Sequence, residues 1–242
     1  MSTSPAGRRP VWVDVTLLLL AAVIFVVLVG LGNWQLRRLD WKLTLIETVE
    51  ARAYSAPVSP PDATAILGDH NYRRVAVAGR FRHDLTRQVK AVTELGPGHW
   101  IMVPLQTESG HVWINRGFVP TGLSASERSD PAGVVRVEGL VRLTEPDGTL
   151  LETNTPETGR WVSRDIAALS RDAGLNDTLP YFIDADHAGE AAAWPRGGLT
   201  TLTFRNPHFQ YAITWYAMAV LFLAGIMYVS ILLFRERRHR AE

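Results

Sequence analysis

Two long stretches of the chain contain no charged residue, and they restrict the fold more than any other feature of the sequence. Residues 15–31 read VTLLLLAAVIFVVLVGL, and residues 211–234 read YAITWYAMAVLFLAGIMYVSILLF. A helix of roughly 20 apolar residues crosses the core of a bilayer, and only a helix satisfies the backbone amides of a single segment in lipid. We therefore predict two transmembrane helices, one near each end of the chain.

A cleaved signal peptide is the alternative explanation of the first stretch. The stretch is long, and it is followed by GNWQLRRLDWK at residues 32–42 rather than by a small-residue cleavage site. We therefore expect an uncleaved anchor.

Positive charge around the two stretches predicts their orientation. The first stretch has basic residues on both sides, at positions 8, 9, 37, 38 and 42, and leaves the orientation open. The second stretch is followed by four arginines, at positions 235, 237, 238 and 240, whereas only Arg196 and Arg205 lie shortly before it. Because the more basic flank stays in the cytoplasm, we expect both termini there.

Two crossings divide the chain into five parts. We predict a cytoplasmic N-terminus at residues 1–14, transmembrane helices at 15–31 and 211–234, an extracytoplasmic domain at 32–210 and a cytoplasmic basic tail at 235–242. About ten residues precede the first helix, too few for a mitochondrial transit peptide, so we expect a bacterial inner membrane with a periplasmic central domain. The chain has no cysteine, which excludes disulfides, zinc–thiolate sites, iron–sulfur clusters and covalent c-type haem.

Hydrophobic periodicity changes from helical to strand-like between the two stretches. Apolar residues recur at three- and four-residue spacing from Leu36 to Ala53, which predicts that the first helix continues to about Tyr54. Alternation then predicts a mainly antiparallel β domain with a few helices (α+β), and residues 108–110 resemble a hairpin loop. A helix is expected at 163–173, with Ser163 as its N-cap. The predicted strands lie at residues 72–81, 88–93, 100–107, 111–118, 134–143, 181–184 and 199–204.

Sequence patterns of catalysis are sparse in this domain. The chain has no G-x-S-x-G elbow, no P-loop and no dinucleotide-binding glycine motif, and we expect no enzyme. Asp184 and Asp186 begin like a calcium loop, but Pro195 occupies the position of its bidentate glutamate. The adjacent residues His83 and Asp84 could form a catalytic pair, but we favour a turn at the end of a strand as their explanation. The net charge of +1 and the basic residues gathered in the tail argue against nucleic-acid binding.

One histidine stands where the second apolar stretch begins. Asn206 suits an N-cap and Pro207 the first helical position, so we expect His208 in the first turn of the helix, at the outer membrane interface. One helical stripe then carries His208, Ala212, Trp215, Ala219 and Phe222. An amphiphilic planar ligand with an apolar tail fits such a stripe, with His208 as axial ligand to its metal. The alternative is an interfacial histidine that bonds a neighbouring side chain.

Several ordered motifs resemble those of the surfeit locus protein one (Shy) family of cytochrome c oxidase assembly factors, over nearly the whole chain. The first follows the first apolar stretch, and the last opens the second. Two positions depart slightly from the family pattern, Phe118 and Pro207. The motifs are Gly32-x-Trp34-Gln35-x-x-Arg38-x-x-Trp41-Lys42, Tyr72 to Asp84, Gly98-x-Trp100 with Pro104-Leu105, Asn115-Arg116-Gly117-Phe118-Val119-Pro120, Val137-x-Gly139-Leu140-x-Arg142, and Asn206-Pro207-His208-Phe209-Gln210-Tyr211-Ala212-x-Thr214-Trp215.

The resemblance implies a function in the biogenesis of haem–copper oxidases. It implies binding of haem a, with His208 as candidate ligand of the haem iron and with Trp215 and Arg38 as further candidate contacts. The implied partners are oxidase subunit I, haem a synthase and membrane lipid. Arg38, Lys42 and Arg205 suit either haem propionates or lipid phosphates, and we favour lipid for at least two of them.

Two further points accompany the haem interpretation, the role of residues 115–117 and an alternative function. Residues 115–117 are interpreted chiefly as structural, placed after a strand, where Gly117 permits a bend and Arg116 braces carbonyl groups. A cofactor-free scaffold for subunit I is the alternative function. It would use small residues on the helices, which are Ala22, Gly30, Ala219 and Gly225.

Overall fold

The structure is a computed structural model that describes residues 10–146, 148, 152–200, 202 and 204–239. These residues form two compact units. One unit comprises residues 47–203, and the other is built from the segments that precede and follow it in the chain.

The terminal unit consists of two long helices. Helix α1 is Val11–Ala53 and runs without a break, and helix α3 is His208–His239. Both are long and apolar enough to cross a membrane. The predicted fold class is confirmed, as is the continuation of the first helix beyond its apolar stretch. The proline-rich segment that begins at Ser55 stops α1, because proline removes a helical hydrogen bond. The limits predicted for the spans stay predictions.

The central unit is a six-stranded sheet. Its strands lie in the order β1-β5-β6-β4-β3-β2, and β1 also pairs with β3 through Arg80 and Phe81, so that the sheet curls back on itself. Every pairing is antiparallel except that of β4 with β6. The strands are β1 (Arg74–Phe81), β2 (Arg87–Thr93), β3 (Gly96–Thr107), β4 (Gly110–Pro120), β5 (Val134–Leu143) and β6 (Thr178–Ala185).

The predicted hairpin between β3 and β4 is confirmed. Thr107 pairs with Gly110 across a two-residue turn, and Gly110 has a φ of 115°, which a residue with a side chain rarely adopts. Alternation along β4 then sends Val112 and Ile114 into one apolar core and Trp113 into another. Helix α2 (Ile166–Asp172) covers this second core, which explains why β4 is apolar on both faces.

One buried carboxylate joins several elements of the central unit. Asp184 at the end of β6 is 7% exposed and accepts four hydrogen bonds. Its donors come from β4, β5 and two loops, and this number of bonds compensates for removing the charge from water. The donors are Asn115 Nδ2 at 2.8 Å, Arg142 Nη1 at 2.9 Å, Thr200 Oγ1 at 2.9 Å and Arg164 Nη1 at 3.3 Å.

Two predicted elements of the central unit are wrong in detail. Helix α2 starts at Ile166, and its N-cap is Asp165, whose carboxylate accepts the Ala168 N–H at 3.0 Å. Ser163 is not the cap, because its hydroxyl accepts hydrogen bonds from Gly148 and Asn154 instead.

The predicted strand at residues 199–204 does not form in the described part of that segment. Residues 199, 200, 202 and 204 lie outside any strand, and residues 201 and 203 lie outside the described chain. The preceding Gly198 has a φ of 70° and turns the backbone, and the Thr200 hydroxyl is fixed to Asp184. The side chains alternate as in a strand, but the turn keeps this backbone off the sheet.

Replacing Asp184 with asparagine tests the buried network. Asp184→Asn preserves the volume but removes one of the two carboxylates shared by the partly buried guanidinium groups of Arg142 and Arg164, the other being Glu145. We therefore expect a loss of about 3 kcal/mol in the free energy of unfolding. Chemical denaturation of the full-length protein in detergent, followed by tryptophan fluorescence, measures it. Glu138→Gln is the control, since Glu138 pairs with Arg136 at the surface at 3.0 Å and should cost no more than about 1 kcal/mol. Equal losses in the two variants would contradict the prediction.

Candidate functional site

The two helices of the terminal unit are joined by a hydrogen bond at His208. His208 is the first residue of α3, and its Nδ1 lies 2.8 Å from the amide oxygen Oε1 of Gln35 on α1. Gln35 is buried, with 8% of its surface exposed. An amide oxygen only accepts hydrogen bonds, so Nδ1 of His208 carries the proton and donates it. In a neutral imidazole with this tautomer, the other ring nitrogen, Nε2, bears the lone pair.

Nε2 is the reactive atom of this arrangement. His208 is partly exposed, and among the described residues none forms a hydrogen bond to Nε2. A neutral imidazole whose far nitrogen is held by a carbonyl oxygen is the usual form of a metal-ligating histidine in proteins. The donor set at this position therefore fits a single axial bond to a metal.

A close approach of the helices lies one turn along α1 from Gln35. A Cβ atom added to Gly32 would lie 2.7 Å from the ring of Tyr216 on α3, which is shorter than van der Waals contact allows. The Tyr216 hydroxyl donates to the Asn33 side chain at 2.7 Å. Small residues let helices approach in this way, so Gly32 has a packing reason for its place in the first motif.

The helical stripe predicted on α3 contributes to this packing. Ala212 and Ala219 are 1% and 3% exposed, on the face of α3 that also carries His208. Trp215 between them is partly buried. The two alanines are therefore closed to a ligand, whereas His208, Trp215 and Phe222 are each partly exposed.

The start of α3 differs from the prediction by one residue. The helix begins at His208, and the N–H of Tyr211 donates to the carbonyl of Pro207 at 3.2 Å. Pro207 thus takes the N-cap position that was predicted for Asn206. The carbonyl of Pro207 accepts the first helical bond, and its missing N–H leaves no donor to satisfy there.

The three cations predicted near the membrane interface have different surroundings. The guanidinium carbon of Arg38 lies 4.0 Å from the centre of the Trp41 ring, and Lys42 Nζ lies 5.2 Å from that of Phe204. Arg205 is exposed. Arg38 follows Gln35 by three residues, or about 4.5 Å along the helix axis. Trp34, Trp41 and Tyr211 are each half exposed.

Residues 115–117 belong to the scaffold of the central unit. They lie inside β4, whereas they were predicted to follow a strand. Arg116 donates to the Ser129 carbonyl and to Asp130, which confirms that it braces a carbonyl group, and burial lowers the pKa of its guanidinium. Gly117 has a φ of 125°, and a Cβ atom there would lie 2.2 Å from the backbone of Arg196. The extended strand itself therefore requires glycine.

A pocket of about 190 Å³ adjoins Asp184 in the central unit. Its lining includes Trp100, Asn115, Gly117 and Arg142, which come from three separate sequence motifs. The hydrogen bonds of Asp184 are already supplied by protein donors, so the geometry explains these motif residues as structural support. The same bonds explain why Asp184 does not serve a calcium site.

His83 and Asp84 form the predicted turn. They open a short 3₁₀ turn at His83–Leu85, where Nε2 of His83 bonds the Pro131 carbonyl oxygen at 3.1 Å and Asp84 pairs with Arg82. The interpretation of this pair as a strand-end turn is confirmed.

The role of Gln35 was missed by the sequence reasoning. Gln35 belongs to the first motif and is predicted to lie at the same membrane face as His208, but no partner is predicted for it. Its only local signal is a neutral polar side chain among the first residues after an apolar stretch.

We call the contacts of Gln35 with His208 and of Gly32 with Tyr216 the helix junction. The fold and the helix junction define a protein with two membrane-type helices, which carry an oriented histidine and have a β domain between them in the sequence. Comparison with known sequences gives the family. The sequence model of the SURF1 family matches residues 22–220, and the chain belongs to this family. Surfeit locus protein 1 of Mus musculus is 34% identical over 84% of this chain and 70% of its own length.

Two further relatives agree with this assignment. Surfeit locus protein 1 of Homo sapiens is 34% identical over 78% of this chain and 69% of its own length. A SURF1-like protein of Monosiga brevicollis is 35% identical over 82% of each chain. The family predicted from the motifs is confirmed.

Paired glycine substitutions test the helix junction. Gly32→Ala should displace the Tyr216 ring and break its hydrogen bond to Asn33, at a cost of about 1–3 kcal/mol in the free energy of unfolding. Gly30→Ala is the matched control, since nothing lies within 4 Å of a Cβ atom there. It should be neutral or slightly stabilising. Unfolding of both full-length variants in detergent measures the difference, and similar stabilities would mean that the helices do not pack at Gly32.

Proposed function

We propose that this protein is an assembly factor for haem–copper cytochrome oxidase. It binds haem a at the periplasmic face of the inner membrane and assists insertion of the haem into oxidase subunit I. Membership of the SURF1 family supports the assembly role. The hydrogen bond from His208 Nδ1 to Gln35 is the observation that carries the haem proposal, because it presents Nε2 as a ligand. The proposed activity is binding and transfer, without catalysis.

The chain's own residues supply orientation. Gln35 holds the imidazole in one tautomer, and the helix junction at Gly32 holds Gln35 opposite His208. Haem a, as the cargo, would bring the iron and an isoprenoid tail. A ligand at this helix mouth would keep the tail in lipid and its carboxylates near water.

Arg38 and Lys42 lie on the same segment of α1 as Gln35 and suit those carboxylates. A guanidinium binds a carboxylate through two parallel hydrogen bonds, whereas lysine offers a point charge. Lipid phosphates are the competing ligands of such interfacial cations. We assign Arg205 to lipid and Lys42 to its contact with the Phe204 ring, and consider Arg38 below.

A cofactor-free scaffold for subunit I is the second candidate function. Its supporting observation is that Ala22, Gly30 and Gly225 are exposed, with no atom close to either glycine. Open small residues are typical of sites where a further transmembrane helix packs. The scaffold and the carrier differ in whether His208 matters.

Substitution of His208 and of its partner tests the carrier function. Protein purified from cells that make haem a should show a Soret band, and His208→Ala should lose most of it. Gln35→Leu should lower haem affinity by about 10- to 100-fold, because the imidazole loses the acceptor that orients it, whereas Gln35→Glu keeps an acceptor and should retain binding. Absorbance titration with haem a measures each affinity.

Two variants control for general damage. His70→Ala removes a histidine of the central unit, and Gln210→Leu removes an exposed amide two residues from His208; both should bind like the wild type. A colourless wild-type protein in the presence of abundant haem a would contradict the carrier function. Normal oxidase levels with His208→Ala would favour the scaffold.

The orientation proposed for the chain is tested by single cysteines. Because the natural chain has none, each introduced thiol is unique. Ser109→Cys, in the β3–β4 turn, should react with a membrane-impermeant maleimide in intact spheroplasts, and Ser2→Cys should react only after permeabilisation. Mass spectrometry of the purified protein measures labelling, and the reverse pattern would overturn a periplasmic central domain with cytoplasmic termini.

A further inference from the structure

Two tryptophans and an arginine form an exposed row on α1. Trp34, Arg38 and Trp41 follow each other at spacings of four and three residues, which places them on one helix face. Trp34 and Trp41 are each 50% exposed, and Arg38 is also exposed. We call this row the Trp–Arg stripe. All three residues belong to the first family motif, and the packing of the chain explains none of them.

The charge at the centre of the stripe is held in place. The Arg38 guanidinium stacks on Trp41 at 4.0 Å, and no carboxylate among the described residues forms an ion pair with it. Stacking orders the planar group while its N–H donors stay available. A carboxylate is the group that these donors match, because two parallel hydrogen bonds form between the planar ions.

The distance of each tryptophan from the apolar stretch indicates whether lipid or a protein contacts it. Leu31 is the last residue of that stretch, and at 1.5 Å per residue Trp34 lies about 4.5 Å and Trp41 about 15 Å beyond it. The headgroup layer on each side of a bilayer is roughly 5–8 Å thick. Even at a helix tilt of 40°, Trp41 stands about 11 Å beyond the apolar core. With the edge of the apolar core taken at Leu31, the backbone of Trp34 falls at headgroup depth and that of Trp41 beyond it.

The side chains of the stripe cannot bind the iron of a haem. An indole and a guanidinium offer no ligand to iron. Tryptophan and arginine are, however, the residues that most often dominate the binding energy of protein interfaces. A rigid helix presents them here without the entropic cost of ordering a loop.

We propose that the Trp–Arg stripe binds a helix of a second membrane protein that continues beyond the bilayer, with a carboxylate against Arg38 and apolar side chains against the two tryptophans. This inference rests on the proposed assembly function, which requires a membrane-protein recipient. It assigns Arg38 to a partner's carboxylate, in place of a haem propionate or a lipid phosphate.

Binding of the full-length protein to apo oxidase subunit I, each in nanodiscs, tests the stripe. Trp41→Ala and Arg38→Glu should each weaken the Kd by about tenfold or more, measured by microscale thermophoresis. Leu43→Ala is the matched control: Leu43 is 51% exposed, as much as Trp41, but lies two residues on and so about 200° around the helix. It should change the Kd by less than about twofold.

The haem a spectrum of the same variants separates the two proposals. Trp41→Ala should keep the wild-type Soret band. If wild type binds subunit I through the stripe but no haem a, the carrier function fails and the stripe stands; if it binds haem a but not subunit I, the stripe inference fails.

Three other results would overturn the inference. Equal affinities of Trp41→Ala and Leu43→Ala would remove the stripe from the interface. Loss of the Soret band in Arg38→Glu would place the stripe in the haem site. A change in self-association of Trp41→Ala, seen by mass photometry with subunit I binding unchanged, would make the occupant a second copy of this chain.

Discussion

The hydrogen bond between Gln35 and His208 is the interaction on which the orientation of the imidazole, and with it the proposed chemistry, depends. Bonds of this kind between membrane helices contribute about 0.6 kcal/mol on average, and at most about 1.7 kcal/mol. That is too little to hold two long helices together, and the close approach at Gly32 and Tyr216 does more for packing. The contribution of the bond is therefore orientation: it selects one imidazole tautomer and fixes the direction of Nε2.

Asp184 in the central unit and His208 in the terminal unit differ in how many of their hydrogen-bonding positions are filled. Asp184 in the central unit receives four protein donors and has no hydrogen-bonding capacity that a ligand needs to fill. His208 has one nitrogen bound and the other available. Motif residues around Asp184, such as Asn115 and Arg142, are thereby explained as supports of the sheet. This asymmetry leaves the available nitrogen on the helices and not at Asp184.

Local sequence periodicity was sufficient for most elements and insufficient for contacts between distant residues. The long helices and strands such as β5 repeat one pattern over many residues, so a few exceptions do not obscure it. The sequence of residues 199–204 alternates as that of a strand does, but the turn at Gly198 and the bond of Thr200 to Asp184 keep the described residues of this segment off the sheet. Ser163 and Asp165 are both good N-caps, and competition for the serine hydroxyl decided between them. No local pattern predicts the contact of Gln35 with His208, since 173 residues separate them.

That separation also orders events in time. Gln35 leaves the ribosome early, whereas His208 follows only after the whole β domain has been translated. At roughly 5–20 residues per second, the 173 residues from position 36 to His208 take about 9–35 s to synthesise. An unfinished chain consequently cannot form the bond between Gln35 and His208. In the carrier function proposed above, the helix synthesised after the β domain would complete the ligand position, so that cargo would bind only to a chain whose β domain is already made.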